Sequence, residues 1–520
     1  MSMKFLSETI ILLMMTAALG IDPTARYVAP TASYEDITYK TMYFNQTLDH
    51  LAPFLPSQPT FSQRYLVNDI FFGQKDPLSE ACTGPIFLYT GNEGPITGFW
   101  NSNGFMKYLA EKYGGLLLFF EERYYGESIP TEKCCTYLTT QQVLEDTVKL
   151  LLQVKKDYNA VACPTIAFGG SYGATLASYL RLAYPFSIQG ALSSSSELGY
   201  YDKSGWKAHN LTRFTFSEII GKQYNKTEGC LENIWDATDL MDATDDEILL
   251  AIFNFCDVSA LKPKMSSIFT YALEGLPQMN YPYPIGSMPS WPVDYSCSIL
   301  ADDSIPLLQR AAKVTALSMG YSLDGDCLKT PQEGPGNIPG DGPGFGSWGY
   351  QSCTETIHIF SSIGRGGKGV RDFSYDDEIG KLKQKCIDLY DEVPNADVLA
   401  MRYGGFDIAA TTTNTIFSTG LIDPWGGASI SAQDGGNNAA ERGVHFFAME
   451  GAAHHLDLRG WNEADPPGVT KARDAEENII MGWVRAYATK NEDENDRVER
   501  DGDKINNISG DGSNLDTSFG

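Results

Sequence analysis

Histidine is scarce in this chain, with six among 520 residues, and basic residues are outnumbered, 39 against 66 acidic ones. The net charge of −27 repels phosphate backbones and anionic lipid, which excludes nucleic acid as an expected partner. Paired C-x-x-C motifs are missing, and no histidine stands at ligand spacing from Cys134 and Cys135, so the sequence implies neither a metal site nor a cofactor. Past the amino-terminal stretch there is no apolar run long enough to cross a bilayer, and no membrane span is expected.

What is present reads as a globular protein of the secretory pathway. Hydrophobic residues make up 42% and aromatics 12%, and 520 residues exceed the usual size of a single core. Lys4, an apolar run over residues 10–19 and the small-residue exit Ala18-Leu19-Gly20 make residues 1–20 a signal peptide. Asn45, Asn210, Asn225 and Asn507 each begin an Asn-x-Ser/Thr acceptor site for glycosylation. Ten cysteines, an even number, are expected to form disulfides in an oxidising compartment, which leaves a secreted or a lysosomal/vacuolar destination open.

Residues 41–50 and 61–72 alternate as antiparallel strands do. Apolar runs at 85–90 and 115–120, helical spacing of Leu144, Val148, Leu151 and Leu152, and strand-like runs at 164–170 and 190–196 then follow as a mostly parallel sheet requires. For about two hundred residues after 196 the alternation stops, a length sufficient for a separate domain. Helix-like blocks at 247–261 and 306–318 and six of the ten cysteines lie in that stretch. Strands are expected again at 414–419 and 444–449, then a helix with Ile479, Ile480, Trp483, Val484 and Tyr487 on one face. This pattern is α/β: a mostly parallel core from residues 28–196 and 399–490, an inserted, largely helical cap over 197–398, and a disordered acidic tail from 491 to 520.

The centre of the pattern is Gly169, Ser171 and Gly173, a G-x-S-x-G motif between a strand and a helix. Glycines at 50 of 520 positions would flank a given serine this way by chance in roughly 1% of cases, so the motif's context carries the reading. There Ser171 occupies a strained turn at the sheet's carboxyl edge, above a helix N-terminus that favours developing negative charge. An activated serine needs a neutral imidazole to take its proton and a carboxylate to fix that imidazole's tautomer. In hydrolase order these are Asp423, four residues past the strand ending at Thr419, and His454, past the last strand. His455 cannot face the serine as well and is read as a packing residue, Asp457 as structural, and His50, His209, His358 and His445 as ordinary surface or core residues. The turn Gly91-Asn92-Glu93-Gly94 sits where backbone oxyanion donors are placed.

Taken together, Tyr89-Thr-Gly-Asn-Glu-Gly94, Arg123-Tyr-Tyr-Gly-Glu-Ser128, Phe168-Gly-Gly-Ser-Tyr-Gly173, Trp348-Gly-Tyr-Gln-Ser-Cys-Thr-Glu355, Asp423-Pro-Trp425 and His454-His-Leu-Asp-Leu-Arg459 resemble the family of lysosomal Pro-X carboxypeptidase and dipeptidyl peptidase II. The matches run in order over nearly the whole mature chain. The resemblance implies a helical cap on an α/β-hydrolase core and cleavage after proline, or another small apolar residue, near a peptide terminus. It implies the triad Ser171, Asp423 and His454, an oxyanion hole from Tyr172, Gly91 and Asn92, and the pairs Cys230–Cys297, Cys256–Cys327 and Cys353–Cys386. Cys82, Cys134, Cys135 and Cys163 are left without assignment. Departures from the family pattern are Pro95 in place of an aspartate, Glu122 in place of a histidine, and Ala174-Thr175 in place of Gly-Met.

Peptides are therefore the expected substrates, with Trp425 and Thr175 as pocket wall. Glu93 is the candidate for a substrate ammonium in an aminopeptidase mode; a carboxypeptidase mode needs a cation or a backbone nest. Assembly, a homodimer included, is not fixed by the sequence. The competing readings are a lipase or esterase using the same triad and a non-catalytic binding protein on the same scaffold.

Overall fold

The computed structural model describes residues 37–52, 58–131, 135–202, 214–256, 264–328, 347–358 and 360–510. The expected signal peptide, Asn210 and His209 lie outside these residues. Of the other acceptor sites, Asn45 and Asn225 are exposed, and the side chain of Asn507 lies outside the described set.

Eight strands form one sheet in the order β1-β2-β4-β3-β5-β6-β7-β8. They are β1 Lys40–Thr47, β2 Thr60–Asn68, β3 Ile86–Tyr89, β4 Leu116–Phe120, β5 Thr165–Gly170, β6 Gly190–Ser194, β7 Thr415–Gly420 and β8 Val444–Met449. β2 pairs antiparallel with β1 and β4, and every later neighbour pairs in parallel. The central strands are buried along their whole length, as their unbroken apolar runs require of parallel strands covered on both faces. This is the α/β-hydrolase fold.

Helix α1, Thr140–Asp157, begins on Thr139, whose side chain accepts the Gln142 N–H. It buries Leu144, Val148 and Leu151, but Leu152, expected on that same face, is 48% exposed. Helix α2, Tyr172–Ala183, follows Ser171 directly. Between β6 and β7 no strand occurs among the described residues; helices include Thr215–Tyr224, Met265–Gly275 and α3, Ser347–Thr354. The helix expected over 247–261 spans Asp246–Phe253 and stops at Asn254, which adopts the left-handed conformation of a helix end.

The closing helix α4, Pro467–Gly510, buries Ile480 and Val484 against the sheet. Its backbone continues helical past Asn491 to Gly510. Once the packed turns of α4 exist, each added residue needs no new nucleation, and a charged, Glu- and Arg-bearing segment can propagate the helix.

Disulfides join Cys230–Cys297, Cys256–Cys327 and Cys353–Cys386, the three pairs the resemblance implied. A fourth, Cys82–Cys163, pairs two cysteines that sequence left unassigned. Cys135 is also disulfide-bonded. Such cross-linking marks a protein of the secretory pathway. Among the described residues no helix is long and apolar enough to cross a membrane.

Candidate active site

Ser171 stands between β5 and α2 with φ +59° and ψ −127°, a backbone conformation that costs an ordinary residue on the order of 1–3 kcal/mol. Its N–H is held by the Ser194 carbonyl at 3.0 Å. Small neighbours make the turn possible. A Cβ on Gly169 would overlap the Gly173 carbonyl, and one on Gly173 would overlap the Gly91 carbonyl and the Asn92 side chain. The elbow and the Gly91–Gly94 turn are therefore in direct contact. The first N–H groups of a helix have no intrahelical acceptor, so the Tyr172 N–H is available beside Ser171.

Asn92 is buried and fastens the turn: its Nδ2 donates to the Gly170 carbonyl at 2.9 Å and to Glu93 Oε2 at 3.1 Å, and its Oδ1 accepts from the Tyr89 hydroxyl. Glu93 is half-buried. Burial first, and repulsion from Glu197 second, push its carboxyl up to about 7.

Asp423 follows β7, and His454 follows β8. The buried Asp423 carboxylate accepts from Trp425 N–H at 3.1 Å through Oδ1 and meets Nδ1 of His454 at 2.7 Å through Oδ2. Burial alone would lower the His454 pKa. The charge and hydrogen bond of Asp423, then the charges of Glu197 and Glu93, outweigh it and hold the imidazole above its ordinary value. Residues of the insertion brace both loops: His454 N–H donates to the Gln278 carbonyl at 3.1 Å, the Trp425 indole donates to Gln278 Oε1 at 2.8 Å, and the Tyr281 hydroxyl donates to the His454 carbonyl at 2.9 Å.

The Ser171 hydroxyl itself donates to Glu197 Oε1 at 3.1 Å, and no hydrogen bond joins it to His454. Glu197 and its partner His358 are the residues that sequence reasoning missed. Glu197, 1% exposed, lies just past β6; its Oε2 meets Nε2 of His358 at 2.8 Å and accepts from the Tyr201 hydroxyl. Burial raises this carboxyl, but the charge and hydrogen bond of His358 and the hydrogen bond of Tyr201 more than reverse that, so its pKa lies below the ordinary value. The signal was its position: like Asp423, it follows a strand at the sheet's carboxyl edge.

Trp425 is buried, with its ring edge-on to His358 at 5.2 Å and 6.5 Å from that of His454. Thr175 is fully buried, and its hydroxyl accepts the Glu197 N–H at 3.4 Å, so it touches the site through Glu197. His455 is half-buried, with its N–H on Ser195 Oγ at 2.9 Å and its ring against Gly170. Asp457 is buried and accepts from the hydroxyls of Ser194 and Ser418. Beneath the elbow, burial raises Glu122 well above the carboxylate range; its Oε1 accepts from Gln351 at 2.9 Å and from the Tyr172 hydroxyl at 3.2 Å. His50 pairs with Asp146, and His445 lies within β8.

A serine on a strained strand-to-helix turn, set in an α/β-hydrolase sheet with a histidine–aspartate pair on the loops past the last two strands, is an arrangement that serine hydrolases share, peptidases and esterases alike. The chain belongs to the serine carboxypeptidase S28 family, whose profile matches residues 46–476. It is 30% identical over 478 residues to the human and the Pongo abelii lysosomal Pro-X carboxypeptidases, covering 86% of this chain and 89% of each relative. Similarity to the Caenorhabditis elegans putative serine protease pcp-1 is 29% over 509 residues, covering 88% of this chain and 85% of that one.

Proposed function

We propose that this protein is a serine exopeptidase, secreted or lysosomal/vacuolar, that cleaves peptides on the carboxyl side of proline near a chain terminus. Ser171 is the nucleophile, His454 its base and Asp423 the carboxylate that fixes the imidazole. The observation that carries the reading is the 2.7 Å bond from Asp423 to Nδ1 of His454. That bond makes Nδ1 the protonated nitrogen and leaves Nε2 as the lone-pair acceptor a serine hydroxyl needs. Family membership, and the Pro-X name of the relatives, supply the peptide and the proline.

In the reaction, Ser171 turns from Glu197 to His454 and attacks the scissile carbonyl, while His454 takes its proton and Asp423 steadies the imidazolium. The N–H of Tyr172 and the Gly91–Asn92 turn receive the oxyanion. His454 then protonates the departing amine, and water releases the acyl group by the same steps in reverse order of roles. The residues of 197–398 that brace the His454 and Asp423 loops support a cap that closes over the peptide.

A panel of Xaa-Pro peptides assayed at acidic and neutral pH tests the proposal. Hydrolysis after proline by the wild type, absent in Ser171→Ala, is expected. Turnover of simple acyl esters with no peptide cleavage would replace the peptidase reading with an esterase.

A further inference from the structure

Glu197 has no part in the triad, yet it is the group that holds the nucleophile's hydroxyl in the free protein. Its Oε2 is occupied by His358 and Tyr201, whereas its Oε1 receives only Ser171. A carboxylate oxygen accepts two hydrogen bonds, so Oε1 has room for a second donor or for an exchange of donors. The surroundings favour a charged one. Glu197 acts on Glu93 and both act on His454, while His358 is the neighbour that acts most strongly on Glu197. His358 is itself 4% exposed, and its Nδ1 has no hydrogen-bond partner. The Ser171 neighbourhood is thus rich in anionic groups around a point where a neutral peptide bond must be placed.

Reach narrows what the donor can be. An oxygen 3.1 Å from the attacking Oγ touches only atoms within a residue or so of the scissile carbonyl. His454 must face the departing amine to return its proton, and Glu197 bonds the serine oxygen and not His454, which leaves the acyl half of the substrate to Glu197. A long basic side chain extending away from the cleavage point would overshoot it. Charge-assisted hydrogen bonds are roughly twice as strong as neutral ones, so a cationic nitrogen would displace the serine hydroxyl where an amide N–H would compete poorly.

We propose that Glu197 is a specificity-determining residue: it binds a positively charged nitrogen on the acyl half of the substrate, and that nitrogen releases the Ser171 hydroxyl to His454. The inference rests on Ser171 being the nucleophile, as proposed above. The nitrogen has two sources, the free α-ammonium of a peptide's amino terminus or a short cationic side chain. Both present the same chemistry to Oε1.

Three fluorogenic substrates with proline before the scissile bond separate the sources: one with a free amino terminus, one acetylated there, and one acetylated but carrying a 2,3-diaminopropionyl side chain. Wild type is expected to prefer at least one cationic form over the neutral acetylated form by more than tenfold in kcat/KM. Glu197→Gln is expected to bring that ratio to within about twofold, while a neutral fluorophosphonate still labels it at Ser171, which shows that the nucleophile is intact. Preference for the first substrate alone assigns the α-ammonium, and preference for the third assigns the side chain. Equal use of all three by wild type would overturn the inference without a variant, whatever Glu197→Gln does to folding. So would an unchanged preference in Glu197→Gln, or a loss of labelling in that variant while wild type labels. Wild type that neither labels nor cleaves removes the nucleophile reading, and this one with it.

Discussion

Two carboxylate–imidazole pairs flank Ser171, and they are wired in opposite senses. Asp423 grips Nδ1 of His454 at 2.7 Å from behind, so the imidazole is the forward member. Glu197 grips Nε2 of His358 at 2.8 Å and puts its own carboxylate forward, 3.1 Å from the serine hydroxyl. The first pair comes from loops past β7 and β8; the second joins a residue past β6 to one from the insertion. An imidazole raised above its ordinary pKa can accept the serine proton and pass it on. A carboxylate held below its ordinary pKa by His358 and Tyr201 orients that proton without taking it. Similar parts therefore serve different ends, one for transfer and one for holding.

The comparison fails if the pairs prove interchangeable. Ser171→Ala removes the atom both pairs address and should cost about 10⁶-fold in kcat. Asp423→Asn should cost about 10⁴-fold, because an amide stabilises the wrong imidazole tautomer. On a substrate with no cationic nitrogen, Glu197→Gln should change kcat/KM by less than about tenfold, since a holding group is not consumed in the transition state. Steady-state kinetics of the three variants, each checked for an unchanged melting profile, give the ranking. Comparable losses in Asp423→Asn and Glu197→Gln on that neutral substrate would erase the distinction.

The pH profile sharpens the same contrast. His454 acts as base only when neutral, and its neighbours raise its pKa above 6.5. Then kcat/KM falls as pH drops through a midpoint above 6.5. Removing one of the raising charges, as in Glu93→Gln, should move that midpoint downward. A midpoint that stays put would mean Glu93 does not act on the base.

A smaller effect concerns stability away from the site. Glu476 on α4 is fully buried; burial first, then the charge of Asp457, raise its pKa well above 4.5. A folded-state value above the unfolded one means that the folded state binds this proton more tightly. The stability from that proton is complete below the unfolded value near 4.5 and is lost as pH rises through the folded value. Melting temperatures measured across that window should decline less in Glu476→Gln than in wild type. An identical slope in both would assign the decline to other groups.

Most of the sheet was legible because parallel strands covered on both faces are written as short, wholly apolar runs, as in β3 and β4. Ser171 was legible from its glycines, and Asp423 and His454 from their places just past strands. Glu197 occupies an equivalent place past β6 but follows a run of serines, and no motif separates it from an ordinary loop acid. His358 could not be found from sequence: it comes from an irregular segment after α3, and only the fold brings it 161 positions back along the chain to Glu197. Thr175, named from sequence as pocket wall, is fully buried in the first turn of α2 and meets the site through the Glu197 N–H.

The most direct test of the account is to label the intact protein with a fluorophosphonate and locate the adduct by mass spectrometry of its peptides. A single adduct on Ser171, abolished in Ser171→Ala and sharply slowed in Asp423→Asn, is the predicted result. An adduct on another residue, or labelling that survives in Ser171→Ala, would contradict it.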